Sequence, residues 1–349
     1  MAEIRIAAPA LTSIVAAIVA AGGSDAREAE VVASNLVAAN LAGHDSHGVG
    51  MIPRYIEVLL EGDLYPNQHP SIELDTGPLL RVNGHAGYGQ VIGLESMQLG
   101  IERARRHGVC IVGTTNSHHL GRIGQWAEQC LDAGLVSIHF VNVLGRPLVA
   151  PFAGRDARFS TNPFCIGIPL VGQAPFVLDM ATSRVAFGKI RVAYNKGATL
   201  APGNLLDAAG DPTTDPKHAF IEPIGALLPF GDHKGYGLAV ACELLAGAVA
   251  GGRTLHRGDD TKRQIINNML SIIIDPALYG TTENCAAQAA AFVEWVRQSP
   301  PREGSNVLIA GDPERRMRAE RLADGIPVDE TTWEQIRDAG AKVGVSIPA

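Results

Sequence analysis

Residues 90–143 alternate helix, strand, turn, helix and strand, and this order constrains the fold more than any other feature of the chain. From Gln90 to His107 the apolar residues Val91, Leu94, Met97, Ile101 and Ala104 recur at a helical period, and Gly108 stops the run. Val109 to Thr114 is rich in β-formers. Asn116-Ser117-His118-His119 reads as a polar turn, Gly121 to Asp132 as a helix stopped by Gly134, and Leu135 to Val143 as a second strand. Elements that alternate over so short a stretch put helices against a sheet, so the fold class is α/β.

The flanks are read the same way. Leu11 to Ala21 is apolar and alanine-rich, but Glu3 and Pro9 precede it, and Leu11, Ile14, Val15, Ile18 and Val19 keep helical spacing. It reads as a packed helix ending at Gly22-Gly23, not as a secretion signal. Ser24 is placed to cap a second helix with the apolar face Val32, Leu36, Val37 and Leu41, ended by Gly43, and Pro53 to Leu60 forms a third. Residues 144–235 are rich in Gly and Pro, with short strands at Phe164–Ile168 and Phe176–Leu178. Gly235 to Val249, Ala286 to Arg297 and Arg315 to Ala323 read as helices, and Ile265 to Ile274 is an apolar run. No apolar run approaches the roughly 20 residues that cross a bilayer, and there is no internal repeat.

With 29 basic and 36 acidic side chains the formal charge is −7, which argues against a nucleic-acid or anionic-membrane partner. An anionic substrate has to be met by local cations. Cys110, Cys130, Cys165, Cys242 and Cys285 are scattered and form no C-x-x-C pair, so each reads as a small buried hydrophobe, in keeping with a reducing cytoplasm. His44-x-x-His47 beside Asp45 has ligand-like spacing, but no third ligand follows at a recognisable interval and there is no H-E-x-x-H, so no metal is expected. Ser46 beside His47 lacks the G-x-S-x-G elbow of a nucleophile.

Four of the 11 histidines fall in two clusters, His44/His47 and His118/His119, each where a regular element gives way to a polar, Gly-flanked turn. An imidazole with a pKa of about 6.5 exchanges protons near neutrality, though a histidine at a helix end also serves simply to satisfy backbone groups. His118 and His119 precede a helix start that carries Arg122, a place for a phosphate or carboxylate, and adjacent histidines cannot readily both face one site. His233 and Lys234 precede another helix start at Gly235-Tyr236-Gly237, and Asp179-Met180-Ala181-Thr182-Ser183 follows a strand with groups suited to ribose or amide contacts. Neither Gly87-Tyr88-Gly89 nor Gly235-Tyr236-Gly237 is completed by a third glycine after a strand, so a Rossmann dinucleotide loop is not supported. Residue chemistry alone therefore describes an enzyme with a histidine-rich, anion-binding cleft. A non-catalytic binder of anionic metabolites and a metal-dependent lyase remain as alternatives.

Longer strings narrow this. Gly43-His44-Asp45-Ser46-His47-Gly48-Val49-Gly50-Met51-Ile52-Pro53 resembles the signature of the malate/L-lactate dehydrogenase family, the non-Rossmann type. So do Asn116-Ser117-His118-His119-Leu120-Gly121-Arg122-Ile123-Gly124, Thr161-Asn162-Pro163-Phe164, Leu178-Asp179-Met180-Ala181-Thr182 and His233-Lys234-Gly235-Tyr236-Gly237-Leu238. The wording is most similar to the hydroxycarboxylate dehydrogenase branch, the 2-oxoacid reductases.

The resemblance implies a non-Rossmann NAD(P)-binding α/β domain around a largely antiparallel sheet, spanning residues 76–312. It also implies a helical domain built from residues 1–75 together with 313–349. The implied assembly is a cytoplasmic homodimer using NAD or NADP on a small 2-oxoacid/2-hydroxyacid pair, phenylpyruvate-like, oxaloacetate/malate or lactate-type. Imine, diketogulonate, ureidoglycolate and sulfolactate oxidoreductases of the family share the chemistry with other substrates. His47 and His119 are the implied catalytic pair, with His47 also at the nicotinamide. Gly121, Arg122, Ile123, Val177, Leu178, Asp179, Met180, Ala181, His233 and Lys234 match cofactor-contacting positions, and Ile309-Ala310-Gly311-Asp312 stands in place of a Pro-Gly-Glu turn that touches the cofactor. Ser46, Arg54 and Thr161 are the implied substrate residues. Met51 stands where many members carry arginine, with Arg54 the nearest basic residue, and Val143 replaces a polar residue of some members.

Overall fold

A computed structural model describes residues 3–195, 197–256, 265–279 and 282–347. The chain opens with β1 (Glu3–Ile6), α1 (Ala8–Ala21), α2 (Ala26–Leu41) and α3 (Ile52–Glu61). Pro9 sits in the first turn of α1, and Gly22 caps its end. The cap of α2 is Asp25, not Ser24: Asp25 is the residue with extended backbone, and its carboxylate accepts from the Glu28 amide at 2.7 Å. The Ser24 hydroxyl donates instead to the Glu28 carboxylate at 2.6 Å.

The chain then runs through β2 (Ser71–Asp75), β3 (Leu79–Asn83), α4 (Gly89–His107), β4 (Val109–His118), α5 (Gly124–Asp132) and β5 (Val136–Leu144). After these come β6 (Phe164–Ile168), β7 (Phe176–Met180), α6 (Phe187–Asn195), and the short strands β8 (Leu205–Leu206), β9 (Pro212–Thr213) and β10 (Ala226–Leu227). Next is α7 (His233–Cys242), which continues to Val249 in wider helical turns. The chain closes with β11 (Ile266–Ile274), α8 (Thr282–Arg297), α9 (Asp312–Asp324), β12 (Ile326–Asp329) and α10 (Glu330–Lys342). Seven strands form one sheet in the order β2-β3-β4-β11-β5-β6-β7. Only β3 and β4 run parallel, so the sheet is the mostly antiparallel one the resemblance implies.

Two boundaries around the His118–His119 pair differ from the sequence reading, and both bear on the site. Residues 116–118 are strand rather than turn, because Ser117 and His118 pair with Asn267 and Ile266 of β11. Carboxamides of β11 take the irregular backbone donors: the Asn268 side chain accepts from the Asn116 amide, and that of Asn267 from the Leu120 amide, both at 2.9 Å. The helix expected from Gly121 begins at Gly124, because Gly121 has φ +72°, outside the helical region.

β1 pairs antiparallel with β12 and ties the two ends of the chain together. One core joins Leu11, Val15, Ile18, Leu36, Ile52 and Ile56 to Ile326, Trp333 and Ile336. A second, between the large sheet and its helices, holds Val82, Met97, Val112, Trp126, Val141 and Met269. Burying each such side chain contributes about 1.5–3 kcal/mol. Cys110, Cys130, Cys165 and Cys242 are buried and free, and the side chain of Cys285 lies outside the described residues.

Candidate active site

Between α2 and α3 the chain makes two tight turns, Asp45–His47 and Val49–Met51. Asn40, near the end of α2, holds both. Its Nδ2 donates to Asp45 Oδ1 at 2.6 Å, and its Oδ1 accepts from the Val49 amide at 2.8 Å. From the far end of the sequence, Arg321 of α9 grips the Asp45 carboxylate with both Nη1 (2.6 Å) and Nη2 (3.0 Å). The turn so fixed carries Ser46 and His47, with Ser46 Oγ 3.0 Å from His47 Nδ1.

His119 arrives from the end of β4. Its ring stacks on that of His47, centroids 5.6 Å apart and planes 18° from parallel. Tyr55 of α3, fully buried, places its hydroxyl 2.7 Å from His119 Nδ1, and Gln90 of α4 donates to that hydroxyl at 2.9 Å. α4 starts hard against this corner: a Cβ on Gly89 would lie 2.2 Å from the His119 carbonyl oxygen. His118 turns the other way, fully buried and edge-on to Tyr55 at 5.6 Å. Burial pushes it down to about 3. Of the adjacent pair, then, only His119 stacks on His47.

Burial also sets the charge of the stacked pair. It pushes His47 down to about 4, against the opposing pull of the Asp179 carboxylate. His119 lies well below the usual histidine range through burial, then through the neighbouring His47 and His118. Burial therefore favours the neutral form of both rings. Each Nδ1 meets a hydroxyl, and among the described residues neither Nε2 has a hydrogen-bond partner.

Beside the histidines, Arg122 is 2% exposed. Its Nη2 pairs with Glu128, while Nε and Nη1 have no partner. The start of α5 carries no free amide in its first turn: Gly124 donates to Asp179 Oδ2 at 2.7 Å, Gln125 to the Arg122 carbonyl and Trp126 to that of Ile123. The anion expected at this helix start is thus the protein's own Asp179. The group left for a foreign anion is the Arg122 guanidinium.

Arg122, Val177, Asp179, Gly311, Glu314 and Arg315 line one small cleft, so three of the expected cofactor segments meet there. The Val177 amide donates to Ala310 at 3.1 Å. Asp312 closes its own turn, accepting from the Ile309 amide at 2.9 Å and from Arg315 at 2.6 Å. The Ile123 side chain is core, and Asp179 and Met180 lie within β7 rather than after it. His233 and Lys234 are exposed and form the first turn of α7 instead of preceding it. They stand near the end of β7, where the Phe230 amide donates to Thr182. Thr161 offers its carbonyl to the Thr182 amide and hydroxyl. Arg54 pairs with Glu57 at 2.7 Å and brings its charge near His118. Among the described residues no group of three or more His, Cys, Asp or Glu side chains is placed to hold a metal ion. Nor is any helix there long and apolar enough to cross a membrane.

Tyr55, Gln90, Glu128, Glu314 and Arg321 are absent from the site residues expected from the sequence. Tyr55 and His119 are 64 residues apart and Arg321 and Asp45 are 276 apart, so no local spacing announces these pairs.

The model of the malate/L-lactate dehydrogenase family matches residues 6–337. The chain belongs to the malate/L-lactate dehydrogenase family. Hydroxycarboxylate dehydrogenase B of Escherichia coli is 48% identical over 343 residues, 98% of this chain and 95% of that protein. L-lactate dehydrogenase of Cupriavidus necator is 39% identical over 334 residues, 95% of each chain. The solved sulfolactate dehydrogenase of Methanocaldococcus jannaschii matches with a TM-score of 0.88 at 30% identity, covering 98% of both chains. This family member is an oxidoreductase acting on a CH–OH group, and its family uses a nicotinamide cofactor.

Proposed function

We propose that the chain is a NAD- or NADP-dependent 2-oxoacid reductase, with small 2-oxoacid/2-hydroxyacid pairs of the phenylpyruvate, oxaloacetate/malate or lactate type as substrates. The observation that carries this reading is the stacked pair His47 and His119, each held through Nδ1 with Nε2 left for a ligand. A carbonyl that becomes an alcohol needs a proton at its oxygen, and two rings at this spacing serve one carbonyl.

The cleft beside the rings suits a phosphate of the cofactor, because two buried nitrogens of Arg122 lack acceptors that a phosphate would supply. Gly121, Arg122, Ile123, Val177 to Ala181, His233, Lys234 and Ile309 to Asp312 are the proposed cofactor residues. Ser46, Arg54 and Thr161 are the proposed substrate residues. The reduced nicotinamide, when bound, supplies the hydride with its electron pair. The protein orients the oxoacid, excludes water and delivers the proton from the histidine pair.

The proposed working form is a cytoplasmic homodimer. Leu244 and Val249, 53% and 68% exposed on the helix that continues α7, support a second copy covering that face. Residues 1–75 with 313–349 are proposed as one folding unit and 76–312 as the other, although β2, inside the first range, pairs with β3 at the edge of the large sheet.

Absorbance at 340 nm with a panel of 2-oxoacids and both reduced cofactors tests the function. Turnover is expected with at least one acid. His47→Ala and His119→Ala should each lower kcat by about 10²–10⁴-fold while cofactor binding persists. Near-normal turnover in both variants would end this reading.

A further inference from the structure

We infer that Tyr55 and Gln90 hold His119 as a neutral imidazole with its hydrogen on Nε2, so that His119 hydrogen-bonds the substrate carbonyl while His47 exchanges the proton. This division of labour rests on the dehydrogenase reading above.

Hydrogen-bond accounting around the two rings carries it. Gln90 Nε2 donates to the Tyr55 hydroxyl at 2.9 Å, and the same Nε2 lies 3.5 Å from the His119 carbonyl oxygen. An oxygen in that place would face another oxygen, which favours this orientation of the carboxamide even though its buried Oε1 then meets no donor. With the Gln90 N–H on one lone pair of Tyr55, the hydroxyl hydrogen needs an acceptor. Tyr55 is fully buried, so water does not supply one, and His119 Nδ1 at 2.7 Å does. A neutral ring that accepts at Nδ1 carries its hydrogen on Nε2. Protonating His119 would put a second hydrogen into the contact with Tyr55 and leave the hydroxyl hydrogen of Tyr55 buried without an acceptor.

His47 has the opposite arrangement. Its Nδ1 partner is Ser46, an exposed residue whose hydroxyl hydrogen can turn to solvent. Ser46 Oγ can therefore accept from Nδ1–H whether Nε2 is protonated or bare, and Nε2 can load and unload a proton with no buried group left unpaired. The charges agree. The groups acting on His47 include the Asp179 carboxylate, which favours its cation, together with His44 and Arg122, which oppose it. Those acting on His119 are His47 and His118, both of which disfavour a cation.

The carbonyl carbon takes the hydride, and the π pair moves to oxygen. That oxygen accepts a hydrogen bond from His119 Nε2–H as charge grows and takes a proton from Nε2 of His47, which is neutral in the free protein and loads that proton from solvent once the anionic oxoacid stands beside the ring. His47 ends neutral with its hydrogen on Nδ1, and solvent restores its proton. A neutral imidazole donating to a developing oxyanion is a known catalytic pattern.

The test uses the full-length protein labelled with ¹⁵N-histidine, the His119 signals being those missing from His119→Gln. The expected result is a neutral His119 with its hydrogen on Nε2 at pH 7. Tyr55→Phe is expected to lose that single tautomer and to lower kcat by about 10- to 100-fold, with KM for the oxoacid little changed. A His119 that is charged at pH 7, or that carries its hydrogen on Nδ1, overturns the inference even if Tyr55→Phe fails to fold. So does a folded Tyr55→Phe that keeps wild-type kcat. A wild-type protein that turns over no oxoacid with either cofactor overturns the dehydrogenase reading and the catalytic roles with it, and the tautomer alone would then show whether Tyr55 and Gln90 lock the ring.

Discussion

Arg122 presents a buried guanidinium with only Nη2 in use. A buried donor without an acceptor costs about 1–3 kcal/mol, more when charged, so the free protein carries a penalty that a ligand with acceptor oxygens removes. Arg122→Met should therefore leave stability unchanged or raise it, because the half-exposed Glu128 can turn to water. The same change should weaken cofactor binding by about tenfold or more, each decade being about 1.4 kcal/mol. Fluorescence titration of the reduced cofactor beside a thermal melt checks both halves. Unchanged cofactor affinity would show that the two free nitrogens serve something else. Arg122 was legible as a cation at a helix start. Its unmet valence was not, because that depends on Asp179 from β7 occupying the Gly124 amide.

Elements were legible where one face of a helix is buried. α1, α2 and α4 follow their apolar period, and Gly108 ends α4 with φ +84° as a terminal glycine should. Legibility failed where tertiary pairing decides. The polar string 116–118 lies in a strand because Ser117 and His118 pair with β11 and the Asn268 side chain takes the Asn116 amide, and nothing within the string says so. The two histidine clusters were found from local pattern, whereas the hydroxyl and carboxamide that orient His119 come from α3 and α4. How closely these elements approach can be tested at Gly89. A methyl there would sit 2.2 and 2.5 Å from the carbonyl oxygens of His119 and His118, so α4 or the end of β4 must shift. Gly89→Ala should cost about 1–3 kcal/mol in urea unfolding. It should also lower kcat more than KM rises, because the displaced backbone carries a ring that has to meet a carbonyl. A variant with wild-type stability and wild-type kcat would mean that the corner yields freely and does not position His119.

Across the whole molecule, the folded state keeps several histidines neutral that the unfolded chain would protonate. His139 is fully buried between the hydroxyls of Ser137 and Ser271, and burial pushes it down to about 3, as it does His118. His47 is held down to about 4, and His119 well below its usual range. The sign follows from proton counting. Above about pH 6.5 these rings are neutral in both states and contribute no pH dependence. As pH falls below that value the unfolded chain binds protons that the folded chain refuses, so stability drops until the folded pKa is reached, near 3 for His118 and His139. Each ring adds up to about 1.4 kcal/mol per pH unit. Carboxylates held low by partners, such as Glu314 on His44 and Asp75 on Arg103, begin to act only near their ordinary values of 4.5 and 3.8. The window from about pH 6.5 to 5 therefore reports mainly on the histidines, while Glu28, whose buried carboxyl is raised above 4.5, takes up its proton first in the folded state and opposes the fall. Urea unfolding across it should show stability falling by several kcal/mol, and His139→Gln should reduce the slope by the share of one ring. A flat profile would mean that the buried rings take up protons without loss of the fold, and that solvent reaches them.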